Sequence, residues 1–146
     1  MNKTLLIIFL TNLFANIITG NEGSTVAIVY NSKLQESKSV ADYYAKLRSV
    51  PEKNLIGLPL SVNHTITRKE FKKTLEQPLI KALAKKKILN GNKGKIRYLL
   101  LCWGVPFRVD KDNSIKPPAE SPTLLQRNEA SVDSELSLLP QKNQPI

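Results

Sequence analysis

The chain has 146 residues, 22 Lys and Arg against 12 Asp and Glu, and a formal net charge of +10. This length suits one domain. One Cys and one His exclude an internal disulfide framework and a His/Cys zinc cluster within one chain, while 41% hydrophobic and 23% charged residues are ordinary for a globular fold.

Residues 1–20 read as a secretory signal peptide. Lys3 supplies the positive start, residues 4–18 are almost continuously apolar, and Thr19-Gly20 supplies small residues at the cleavage position. Asn12 and Asn16 interrupt the apolar run, which falls short of the roughly 20 apolar residues needed to span hydrocarbon. The domain then covers residues 21–140, and 141–146 form a disordered tail. Export directs the chain to the periplasm, the envelope or the extracellular space.

Residues 24–30 (STVAIVY) form a compact apolar and β-branched run, the pattern of a strand buried on both faces. Residues 37–48 follow with Val40, Ala41, Tyr44 and Leu47 at helical spacing. Ser39 with Asp42 has the capping-box spacing, and Ser37 is a rival cap. Pro51 restricts Val50 and ends the helix near Ser49. Residues 54–60 (NLIGLPL) form a weaker strand, and Pro59 marks it as an edge or a strand end.

Thr67 and Glu70 have capping-box spacing, and Ile66 with Phe71 can staple the start of the next helix. Phe71, Leu75, Leu79, Ala82 and Leu83 make its apolar stripe. Pro78 predicts a kink, or two helices with Pro78 opening the second. Lys85, Lys86 and Lys87 suit the negative end of the helix dipole, and residues 90–94 (NGNKG) are a turn cluster. Residues 96–103 are the third strand, ended by Gly104-Val105-Pro106; residues 107–109 extend briefly. Residues 110–128 read as a long loop, and residues 131–139 as a helix capped by Ser131 and stopped by Pro140.

Strand–helix–strand–helix–strand predicts an α/β fold: a small three-layer sandwich with a parallel β-α-β-α-β core in strand order 2-1-3. Complete doubly wound domains usually have more strands, so the expectation is the N-terminal part of a larger one. An exposed edge at residues 96–103 would invite self-association.

The strings VYNS, SKSVADYYA, VPEKNL, IRYL, GVPFR and ASVDSEL occur in that order between residues 29 and 136. Together they resemble an uncharacterised, exported bacterial hypothetical-protein family of the TIGR series. The resemblance covers roughly residues 25–140 and implies export and a longer chain, continuing past the 131–139 helix. It carries no activity, cofactor or ligand, so it assigns no functional residue.

In open parallel sheets, ligands bind beyond the carboxyl ends of the strands. Asn31, Ser32 and Ser37 follow the first strand there; Gly104, Pro106 and Arg108 follow the third. Asp133 and Glu135 open the last helix, about 200° apart around its axis, so they cannot share one face. The candidate ligand-binding residues are therefore Asn31, Ser37, Gly104, Arg108, Asp133 and Glu135. Arg108 could hold an anion or pair with Asp133. Cys102, inside an apolar run, reads as a buried thiol rather than a nucleophile. His64 reads as a loop histidine, and Trp103 as a packing residue or a pocket wall. No Gly-rich phosphate loop follows the first strand, and no cofactor or metal is expected.

Three functions from different classes fit these features. The first is an exported binding protein. The second is a hydrolase-like enzyme completed by a C-terminal half. The third is a basic binder of anionic polymers or an envelope component, using the lysines at 72, 73, 81, 85–87, 93 and 95 and Arg97.

Overall fold

In the computed structural model, the described residues are 22–85, 96–116 and 127–139. The signal-peptide reading, the NGNKG turn, the centre of the long loop and the tail lie outside them.

A 3₁₀ turn, Glu22–Thr25, leads into strand β1, Val26–Asn31. Helix α1, Gln35–Arg48, crosses over to β2, Leu55–Leu58. After a short strand β3, Thr65–Ile66, the chain turns helical: α2, Arg68–Glu70, a π-helical stretch, Phe71–Glu76, and α3, Gln77–Lys85. Strand β4 is Tyr98–Leu101, β5 is Arg108–Val109, β6 is Ala130–Ser131, and helix α4 is Val132–Ser137.

The main sheet is parallel in the order β2-β1-β4, with Ile28 opposite Leu55 and Val26 opposite Tyr98. This is the α/β sandwich with the expected 2-1-3 order. Period-two alternation divides β1 between the two faces. Ala27 and Val29 join Phe71, Leu75, Leu79 and Leu83 of the long helical segment. Ile28 faces the other way, onto Ala41, Ala45, Val50 and Cys102. Phe71, Leu75 and Leu79 are fully buried, each contributing about 1.5–3 kcal/mol of burial.

Helix α1 departs from the expected pattern in two ways. It starts at Gln35 behind Leu34, whose side chain makes no capping bond. Ser37 is buried inside the helix, and the Ser39 hydroxyl donates to the Gln35 carbonyl at 3.0 Å. Neither serine is the cap, because both lie inside the helix: the Ser39 hydroxyl bonds back to Gln35, and the Ser37 hydroxyl is engaged by Asn31 and Trp103. The buried face is also different. Ser37, Ala41 and Ala45, four residues apart, lie on the sheet, whereas Val40 and Leu47 are exposed. Small residues let this helix approach the strands closely, and the larger ones turn to solvent.

The Thr67 cap is formed: its hydroxyl accepts from the Glu70 amide at 3.1 Å. Pro78 is the second residue of α3, the second of the two expected arrangements. Just before it, the Gln77 amide reaches back five residues to the Lys72 carbonyl, so the helix is widened where proline cannot donate.

The second sheet is the feature that periodicity did not reveal. Its order is β3-β5-β6, with β3 parallel to β5 and β5 antiparallel to β6. Each strand is two residues long, too short for an alternating pattern to register. Val109 of β5 and Val132, which follows β6, nevertheless bury completely in the core. Among the described residues, no helix is long and apolar enough to cross a membrane.

Candidate functional site

Three of the expected site residues meet at the carboxyl end of the main sheet. Asn31 ends β1 and is fully buried, as is Ser37. The Asn31 side-chain amide donates to the carbonyls of Gly104 at 2.9 Å and Ser61 at 3.1 Å. Its side-chain oxygen accepts from the amides of Lys33 at 3.1 Å and Leu60 at 3.2 Å. An asparagine side chain has two donor hydrogens and an acceptor oxygen with two lone pairs, so every position is filled. The Ser37 hydroxyl accepts from the Asn31 amide at 3.0 Å and donates to the Trp103 carbonyl at 2.5 Å. These two side chains therefore tie together the segments that leave β1, β2 and β4. Their polar atoms face protein, which leaves them to shape the region around them.

Gly104 completes the clamp. Its φ is +85°, a region that favours glycine. A Cβ there would lie 2.7 Å from Leu34 Cδ1 and 3.4 Å from Ser37 Cβ. A second buried asparagine, Asn54, does similar work at the other end of β1. It donates to the carbonyls of Val26 at 2.9 Å and Ser24 at 3.2 Å.

Beside the clamp lies a cleft of about 710 Å³. Its walls come from the end of β4 and the following turn, from the loop before β3, and from Asp133 at the start of α4. Trp103 and Phe107 line it and are 63% and 59% exposed. His64 also lines it and lies against Phe107, with ring centroids 5.3 Å apart and planes tilted by 36°. Trp103 is thus a pocket wall rather than a core residue.

Cys102 borders the same cleft but is buried, and burial pushes its thiol pKa up. A raised pKa keeps the protonated form, the opposite of an activated nucleophile. The buried-thiol reading of Cys102 thus stands, even though Cys102 and His64 share a cleft.

The three remaining candidates separate. Asp133 is exposed at the cleft, with no ion pair to any described residue. Arg108 lies exposed on β5 and is not paired with Asp133. Glu135 turns away from the cleft, as its spacing from Asp133 requires, and pairs with Arg68 at 2.6 Å. That pair is largely buried and includes a second bond from Arg68 to the Asn128 carbonyl. It fastens α4 and the segment before β6 onto the start of α2. Ser131 caps α4, its hydroxyl accepting from the Ser134 amide at 3.1 Å.

Sequence reasoning passed over Asn63 and Phe107 as cleft residues. The available signal was the cluster of large apolar residues in the GVPF turn, immediately after a strand of a parallel sheet. Among the described residues, no group of three His, Cys, Asp or Glu side chains converges.

No family model, curated protein or solved structure matches this chain.

Proposed function

We propose that the protein is an exported binding protein whose ligand occupies the cleft at the carboxyl end of the β2-β1-β4 sheet. One observation carries the reading: exposed Trp103 and Phe107 line a cleft whose neighbouring polar groups, on Asn31 and Ser37, are committed to the backbone. Keeping two large aromatic side chains in solvent forgoes burial energy, and such patches mark interaction sites. The position is the one at which open parallel sheets bind ligands. Export is supported by Lys3 and the apolar run that follows it. The resemblance to the exported hypothetical-protein family is in keeping with it.

The hydrolase alternative is less well supported, because the thiol beside the cleft is buried and its ionisation disfavoured. The polymer-binding alternative draws on exposed lysines such as Lys81 and Lys85, which are equally the ordinary solvated face of a helix.

The test is chemical-shift mapping on the full chain with choline, glucose, benzyl alcohol and benzoate as separate probes. The reading expects at least one probe to move the amide signals of His64, Trp103, Gly104 and Phe107 together. Shifts confined to another surface, or none with any probe, would contradict it.

A further inference from the structure

The cleft is electrostatically unlike the rest of the molecule. The chain carries 22 Lys and Arg, yet no lysine or arginine is among the described residues lining the cleft. One carboxylate is, that of Asp133, and it has no ion-pair partner among the described residues. The cleft is also lined by the aromatic residues Trp103 and Phe107, both more than half exposed. An anionic ligand would find no countercharge here. A purely apolar one would leave the Asp133 carboxylate without a partner and partly desolvated. A cation with apolar substituents satisfies both features, because ring quadrupoles attract positive charge and a carboxylate neutralises it.

We infer that the cleft selects a small organic cation of the alkylammonium class, held by Trp103 and Phe107 through cation–π attraction and by Asp133 through charge. This inference rests on the cleft being the binding site. The clamp supports it by fixing the backbone at Trp103 and just after it: Ser37 holds the Trp103 carbonyl, and Asn31 holds that of Gly104. The contact with His64 steadies Phe107. The aromatic platform is therefore built in advance, which limits the ordering cost of binding.

Trp103 is the only tryptophan in the chain, so its fluorescence reports on this site alone. The experiment titrates the full chain with choline and, separately, with its uncharged carbon isostere 3,3-dimethylbutan-1-ol. Choline is expected to bind about three- to tenfold more tightly than the isostere. Asp133→Asn should remove most of that preference, and Phe107→Leu should reduce it. Both sites are exposed, and circular dichroism checks that the variants fold. Equal binding of the two probes to the unaltered chain would overturn the cation inference while leaving the cleft reading intact. If neither probe alters Trp103 emission or the amide signals around it, the cation inference fails. If glucose, benzyl alcohol and benzoate also leave those signals unmoved, the cleft reading fails with it.

Discussion

At the residue scale, Asn31 and Cys102 show how chemistry-bearing side chains can serve structure. Asn31 makes four side-chain hydrogen bonds to four backbone groups. Asn31→Ala would leave those groups without their partner in a buried region, and a stability loss of about 2–4 kcal/mol is expected in urea denaturation. A loss below about 0.5 kcal/mol would mean that the clamp is not a structural element. Cys102 offers a pH test. Burial raises its folded-state pKa above the ordinary value of about 9.0. Its thiol contribution is therefore complete below that pH and is lost as pH rises through the raised folded value. The stability advantage of the unaltered chain over Cys102→Ala should hold up to about pH 9 and shrink as pH rises beyond it. At neutral pH that advantage should be about 1 kcal/mol or more, reflecting the lost packing. An advantage that grows with pH would mean that the folded protein favours the thiolate.

At the scale of elements, legibility followed length. The β1 run, the Thr67 and Ser131 caps and the β2-β1-β4 order could all be read from composition and spacing, because each extends over several residues or has a fixed local pattern. The β3-β5-β6 sheet could not, because two-residue strands carry no periodicity. The buried face of α1 was misread for a different reason. Hydrophobicity points to Val40 and Leu47, but close packing on the sheet selected Ser37, Ala41 and Ala45. The place of the cleft beyond the strand ends, with Asp133 in its lining, follows from the order of the elements. The division of labour was not, since hydrogen bonds between residues up to 73 positions apart determine that Asn31, Ser37 and Gly104 build the cleft. The turn after β4 can be tested through Gly104→Ala. Leu34 Cδ1 is the end of a flexible side chain and can move aside. The positive φ remains, and the expected cost is about 1–2 kcal/mol from backbone strain. A neutral or stabilising effect in thermal denaturation would show that the turn adopts another conformation.

At the scale of the whole molecule, the main sheet as described ends at β2 on one side and β4 on the other. Tyr98 on β4 is 64% exposed, and open edges pair with other strands unless they are covered or charged. Sedimentation of residues 21–146 should reveal concentration-dependent self-association, reduced by Tyr98→Lys on β4. A monomer across the accessible concentration range would mean that the edge is protected.

The same scale brings together the account's central claim, that the cleft presents an aromatic binding surface and not a catalytic thiol. The most direct test compares Trp103 and Cys102 in one native sample. Trp103 should be quenched by acrylamide almost as readily as in denaturant, while Cys102 resists alkylation until the protein unfolds. A shielded Trp103 beside a rapidly alkylated Cys102 would contradict the claim and place a reactive nucleophile at the cleft.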